Sequence, residues 1–347
     1  MKIAIVNDML LALEGLRRAL HHSHHQIIWM AQNGEVAVER CRIDRPDLIL
    51  MDLFMPCMGG VEATRLIMAQ SPCAVLIVTS SVDDHAASAF EAMGAGALDA
   101  VNTPVCGGGM EVTGAEDLLN KIATIERLIR YDAPPQSLPA PRKTKLIAQN
   151  AVPLVVIGAS SGGPQVLATI LAALPPDFAA AVVIVQHVDA LFAGELADWL
   201  NQQSPLEVMP AQHGVEPRAG HVLVAQTDDH LVMNEAGELV YTPEPRDMVY
   251  RPSVDIFFES VVAHAAGPVL ALLLTGMGRD GAQGLLQLKR RGCCTVVQSR
   301  ESCAVYGMPK AAIESEAAVK ILPPERMAAE ICRWQAENVQ LIEVLTG

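Results

Sequence analysis

The chain is predicted to fold as two α/β units, each built on a doubly wound, mostly parallel sheet. Three observations carry that prediction. At 347 residues the chain exceeds the usual size of one domain. Short, nearly continuous apolar runs alternate with amphipathic stretches in both halves, the pattern of parallel strands covered on two faces. Between the halves lies YDAPPQSLPAPRKTKLIAQNA (131–151), rich in proline and polar residues and without helical periodicity, which reads as a semi-stiff linker. The expected division is 1–130, linker 131–151 and 152–347.

In the first half the predicted elements are strands at KIAIVN (2–7), QIIWMAQ (26–32), DLILMDL (47–53), CAVLIVTS (73–80) and ALDAV (97–101), with an amphipathic helix at EGLRRALHH (14–22). In the second half LVVIGAS (154–160), AAVVIVQH (180–187), VLALLLTGMG (269–278) and CTVVQS (294–299) read as buried strands. HVLVAQTDDHLVMNEAGELVY (221–241) reads as hairpins, with a turn at Glu235-Ala236-Gly237. The halves repeat an architecture, not a sequence.

Composition narrows the function. A net charge of −14 argues against nucleic-acid binding, which needs clustered Lys and Arg. The first apolar run is too short for a signal peptide, and AAGPVLALLLTGMG falls well below the ~18 residues of a membrane span. No membrane insertion is expected and a cytoplasmic location is. The eight cysteines contain no C-x-x-C pair and read as reduced thiols. HHSHH (21–25) has no organised Cys or carboxylate partners in the sequence and reads as a solvated helix end, and GGG (107–109) as a flexible loop.

The ends of the first-half strands carry carboxylates. Asp8 follows the first strand and Asp52 ends the third, and in an open parallel sheet these ends face one crevice. Hard oxygen ligands there suit Mg²⁺, and an exposed Asp52 beside the metal could attack a phosphoryl group that Thr79 contacts.

In the second half, GASSGG at 158–163 lacks the glycine spacing of a dinucleotide cradle, the lysine of a P-loop and the G-x-S-x-G elbow. Ser160 nonetheless sits where a strand ends and a helix begins, whose free N–H groups suit a developing oxyanion. His187 closes the next strand, and Asp280 follows a later one in LLLTGMGRDG. A nucleophile, a base and an orienting carboxylate therefore stand in order, each just past a buried strand.

IVNDMLLALEGLRRAL, PDLILMDLFMPCMGGVEATRLI, LIVTS and MGAGALDAVNTP resemble a response-regulator receiver domain of flavodoxin-like fold. That resemblance implies Asp52 as phosphoacceptor, Asp8 and Asp52 as weak Mg²⁺ ligands, Thr79 as switch hydroxyl and a histidine kinase as phosphodonor. Asn7 replaces one member of the usual acidic pair and Thr103 the usual lysine, so a receiver that no longer takes phosphate stays open.

IGASSGGP, VQHVDALFAGELADWL, GVEPRAGHVLVA, YRPSVDIFFES, LLLTGMGRDGAQGL and QSRESCAVYGMPKAA resemble the chemotaxis-type protein-glutamate methylesterases, the CheB family. The resemblance implies Ser160 as nucleophile, His187 as base and acid, Asp280 as its orienter and the Met277 backbone N–H at the oxyanion. It further implies demethylation, and possible glutamine deamidation, of helical cytoplasmic regions of methyl-accepting receptors, with no cofactor for catalysis. IVNDMLLALEGLRRAL and GALDAVNTP look most like the Wsp-type surface-sensing branch. A non-catalytic adaptor using the same cleft is the rival reading. Arg251 and Pro252 line the groove or make a turn, Ser161 lends a donor or caps a helix, and Tyr306 and Met308 belong to core or pocket wall.

Overall fold

The computed structural model describes residues 1–21, 23–81, 85–106, 112–130, 152–246 and 248–346. The predicted linker and the GGG loop lie outside them. The chain divides into two compact units, Met1–Tyr131 and Asp132–Gly347.

The first unit runs β1 (Lys2–Val6), α1 (Leu10–Leu20), β2 (Gln26–Ala31), α2 (Gly34–Ile43), β3 (Leu48–Met51), α3 (Gly60–Gln70), β4 (Ala74–Thr79), α4 (Ala86–Gly94) and β5 (Asp99–Asn102). A short pair, β6 (Val105–Cys106) and β7 (Val112–Thr113), precedes α5 (Ala115–Arg130). The sheet order is β2-β1-β3-β4-β5, all parallel. The strands of this sheet's centre, Ile3 to Val6 and Leu48 to Met51, are wholly buried, as their unbroken apolar runs require. Strand order reverses between β1 and β3, so the crevice opens where Asn7, Asp8 and Asp52 follow those strands.

The second unit runs β8 (Leu154–Ala159), α6 (Gly163–Ala172), β9 (Ala181–Gln186), α7 (Ala190–Gln203), β10 (Glu207–Pro210), β11 (His221–Val224), β12 (His230–Met233), β13 (Leu239–Thr242) and α8 (Val254–His264). It continues with β14 (Val269–Leu273), α9 (Ala282–Arg290), β15 (Cys294–Gln298), α10 (Met308–Glu314), β16 (Lys320–Leu322) and α11 (Pro324–Thr346). Seven parallel strands stand in the order β10-β11-β9-β8-β14-β15-β16. The reversal falls between β8 and β14, which brings the Ser160 turn beside the loop carrying Asp280.

One expectation needs correcting. HVLV at 221–224 is no hairpin strand: it joins the main sheet parallel to β9 and β10, and within 221–242 the hairpin is made by β12 and β13. Alternating apolar residues fix a strand, not its neighbour, and the turn at 235–237 belongs to the later pair alone. That hairpin packs on α8, where Leu231, Met233 and Leu239 join Phe257 and Phe258 in the core.

Candidate active site

Ser160 and His187 each follow directly on a paired strand end, since Ala159 stands opposite Gln186 in the β8–β9 ladder. The Ser160 N–H donates to the Thr275 carbonyl at 3.0 Å, and its carbonyl accepts from the Gly163 N–H at 2.7 Å and Gln186 Nε2 at 2.9 Å. The backbone of the serine is thus held from three directions. Gly162, at φ 83°, makes the turn into α6 in a conformation that L residues avoid, and a Cβ there would meet Ala304 and Thr275. Gly162, not Ser161, is the N-cap of α6. The capping role offered for Ser161 is therefore excluded, and its carbonyl instead accepts from Thr275 Oγ1 at 2.9 Å.

His187 Nε2 donates to Asp280 Oδ2 at 2.8 Å. The opposite ring nitrogen, Nδ1, is buried and has no protein partner among the described residues. A ring whose Nε2 proton faces a carboxylate keeps the Nδ1 lone pair for accepting a proton. Tyr250 stacks on the imidazole, with centroids 4.2 Å apart and planes 16° apart.

Asp280 is buried beside the start of α8, where backbone N–H groups lack helical acceptors. Its Oδ2 also accepts from the Val254 N–H at 2.7 Å, and its Oδ1 from Ser253 Oγ at 2.8 Å and the Asp255 N–H at 3.1 Å. Burial alone would raise this carboxyl, but the bonds from His187 and the α8 N–H groups outweigh it and hold the group below its ordinary value. Nearby, Glu259 is pushed up to about 7 by burial and then by the Asp280 charge, and Asp255 rises for the same two reasons.

A further layer holds Ser253. His230 is fully buried, accepts the Ser253 N–H on Nδ1 at 3.1 Å and meets the Pro245 carbonyl through Nε2 at 3.0 Å. Burial first of all lowers its pKa, which favours the neutral ring this arrangement needs. Ser253, His230, Tyr250 and the buried hub Thr275 escaped the sequence reading. Ser253 before the apolar stretch VDIFF was the one available signal, a helix N-cap.

The loop after β14 completes the site. The Gly276 carbonyl accepts from the N–H groups of Gly307 and Met308 at 3.0 and 2.9 Å, and Tyr250 Oη donates to the Met277 carbonyl at 2.9 Å. A Cβ at Gly276 would collide with Ser160 and with Met308, so the loop passes against the serine because this position is glycine. Met308 is buried in the core of the second unit, Tyr306 lies under Arg300, and Arg251 is tied to Asp229 at 2.9 Å.

The first unit has its own cavity of about 350 Å³, lined by Asn7, Asp8, Asp52, Thr79 and Thr103 among others. Asp52 Oδ1 accepts from the Leu53 N–H at 2.8 Å. Burial, and then the Asp8 charge, push its carboxyl up to about 6, against the effect of that bond. Asn7 Oδ1 is engaged by the Met9 N–H at 2.8 Å, so this residue holds the turn. Thr79 Oγ1 is buried without a partner among the described residues. No lysine or arginine among the described residues lines the cavity. Two adjoining carboxylates with no lysine or arginine beside them among the described residues fit a hard dication such as Mg²⁺, though Asn7 supplies one carboxylate fewer than an acidic pair.

Similarity to known proteins follows this division. The CheB methylesterase family profile matches residues 155–331, and the response regulator receiver domain profile residues 3–107. A Pseudomonas aeruginosa protein named protein-glutamate methylesterase/protein-glutamine glutaminase 3 is 53% identical over 95% of this chain and 98% of its own. A Mesorhizobium japonicum protein-glutamate methylesterase/protein-glutamine glutaminase is 52% identical over 95% and 98%. The Thermotoga maritima CheB methylesterase catalytic domain superposes with a TM-score of 0.51 at 33% identity, over 53% of this chain and 99% of that one. With a serine and a histidine on neighbouring strand ends, a carboxylate fixed to that histidine, and a receiver unit ahead of them, the chain belongs to the CheB methylesterase family.

Proposed function

We propose that this chain is a protein-glutamate methylesterase, and a protein-glutamine glutaminase by the same acyl chemistry, under control of its receiver unit. The observation that carries the reading is the 2.8 Å bond from His187 Nε2 to Asp280 with His187 Nδ1 left open at the strand end next to Ser160. Ser160 Oγ attacks the ester carbonyl of a methylated glutamate while His187 Nδ1 takes its proton. Asp280 holds the ring and stabilises the imidazolium without itself being protonated. The imidazolium then passes the proton to the departing methanol. Water, activated by the same nitrogen, hydrolyses the acyl-enzyme and restores Ser160. With a glutamine side chain, ammonia leaves instead.

The oxyanion donor is the Met277 N–H. A trans peptide sets its N–H opposite its carbonyl, and the Gly276 carbonyl is fixed by Gly307 and Met308. The Met277 N–H is thereby aimed away from that pair and held before the reaction starts, the condition for oxyanion stabilisation.

In the receiver unit Asp52 accepts a phosphoryl group from a histidine kinase, Thr79 contacts it, and Asp8 and Asp52 hold Mg²⁺. That ion, when bound, offsets the charge of the two carboxylates. Phosphorylation sets the rate of demethylation of methyl-accepting receptor helices at the cytoplasmic face of the membrane. No helix among the described residues is long and apolar enough to cross a membrane. Asn7, Thr103 and the segments around them support placing the chain in the Wsp-type surface-sensing branch. Residues 1–130 and 152–347 act as regulatory and catalytic parts joined by 131–151.

The test is methanol release from methylated receptor. Ser160→Ala should lower it by a factor on the order of 10⁴ or more with the circular dichroism of the wild type retained. A variant that still turns over at a comparable rate would remove Ser160 as nucleophile. Acetyl phosphate with Mg²⁺ should raise release by the wild type and leave Asp52→Asn unmoved. Equal response of the two proteins would take the switch away from Asp52.

A further inference from the structure

We propose that His24, His25 and Glu126 form a binding site for a divalent transition cation of the zinc type, one that ties the entry to β2 onto α5. The sequence shows four histidines at the end of a helix, in HHSHH, and no carboxylate among them. The fold supplies one from 102 residues away.

Neighbouring side chains of an extended segment point to opposite sides, so two consecutive histidines serve one ion only if the chain is bent between them. Ser23 makes that bend. Its N–H and Oγ both donate to the Leu20 carbonyl, at 3.0 and 2.7 Å, and its Oγ accepts from the His25 N–H at 3.3 Å. The two imidazoles end on one side, with centroids 4.1 Å apart and planes tilted by 47°.

Glu126 faces them from α5, its carboxylate largely buried where a bare negative charge is costly. His24 Nε2 lies 3.0 and 3.2 Å from its two oxygens. One donor atom from each of the three residues falls within 4.8 Å of the other two. A tetrahedral ion with bonds of about 2.0–2.1 Å separates its ligands by roughly 3.3 Å, so the His24–Glu126 pair already stands near the spacing such an ion needs. Two imidazoles and a carboxylate are a donor set for zinc, nickel or copper rather than for Mg²⁺. Three protein ligands leave a fourth position for water. His24 is mostly exposed and gives the ion a way in.

The α-amino group of Met1, 3.4 Å from His25 Nδ1 and 3.9 Å from Glu126 Oε1, is the competing cation at the same carboxylate. A cation cluster without metal is therefore the rival occupant. Because the ligands come from opposite ends of the unit, an ion here binds the folded state and not the unfolded chain, so it must raise the unfolding temperature.

The experiment titrates the untagged full chain with Zn²⁺ against a chromophoric chelator, in excess Mg²⁺, for the wild type, His24→Ala and Glu126→Gln. At about 0.1 mM free Zn²⁺ the wild type should bind one more equivalent than His24→Ala and melt several degrees higher than without metal, a shift the variant lacks. Glu126→Gln should weaken this step at least about tenfold. His24 is exposed, so its variant tests the site even if Glu126→Gln fails to fold. Equal Zn²⁺ uptake by wild type and His24→Ala would place the ion elsewhere and overturn the proposal. No uptake by the wild type would also overturn it and leave an ion cluster only.

Discussion

The two key carboxylates of the two units, Asp280 buried and Asp52 half-buried, have opposite surroundings. Asp280 receives four hydrogen bonds, from His187, Ser253 and two backbone N–H groups at the start of α8, and is held ionised. Asp52 receives the Leu53 and Phe54 N–H groups, faces the charge of Asp8, and has no lysine or arginine in its cavity among the described residues. The proposed catalytic site has its carboxylate fully satisfied before any substrate arrives, as stabilisation of a transition state demands. The receiver site is left in deficit and is completed by whatever brings positive charge. A permanent function and a conditional one are thus distinguishable by how fully their buried charges are satisfied.

The largest expected effect breaks the finished site. Asp280→Asn keeps the side-chain shape but removes the charge that fixes the His187 tautomer, and kcat for methanol release should fall by about 10⁴ with KM little changed. A fall of less than about tenfold would mean that His187 is oriented by something else.

A smaller effect should come from one step further out. Ser253→Ala deletes the 2.8 Å bond to Asp280 Oδ1 and the N-cap of α8, and kcat should drop roughly tenfold, with a loss of about 1 kcal/mol in stability. Ser253→Thr should restore most of both. If threonine restores stability without kcat, the serine serves the helix and not the carboxylate.

The smallest effect sharpens the other side of the comparison. The Asp52 carboxyl is raised to about 6, so its ionisation destabilises the fold. A group raised in this way favours folding below its ordinary range of about 4, and loses that contribution as pH rises through 6. Asp52→Asn should therefore gain about 1 kcal/mol at pH 8, after allowance for the partly exposed setting, seen as a few degrees in Tm. The gain should vanish at pH 4, and saturating Mg²⁺ on the wild type should reproduce it. A variant that melts with the wild type at both pH values would show that Asp52 carries no such deficit.

Both sites were legible in outline because their residues stand at the ends of unbroken apolar strands. IVND, LILMD, IGAS and VVIVQH announce buried parallel strands, and such strands share one functional edge. The supporting residues were hidden for a matching reason. His230, Tyr250 and Ser253 lie on the hairpin and the segment before α8, where no period marks which residue faces inward. Their role arises from packing between elements far apart in sequence. HVLV at 221–224 reads as part of a hairpin because the sequence shows the turn after it and not its parallel partners β9 and β10. HHSHH looked idle for a similar reason: Glu126, which approaches it, is one acidic residue among several on α5.

The pairing of Ala159 with Gln186 has a consequence for how this protein tolerates change. Because Ser160 and His187 overhang that rung by one residue each, their separation is measured by the sheet rather than by any loop. Insertions beyond either residue can lengthen the surrounding loops while the gap between Ser160 and His187 stays constant. A single-residue deletion within β8 or β9 is different in kind. It would slide one tooth of the pair along the ruler and point its side chain through the opposite face, so lineages should vary freely in these loops and hardly at all in the lengths of these two strands.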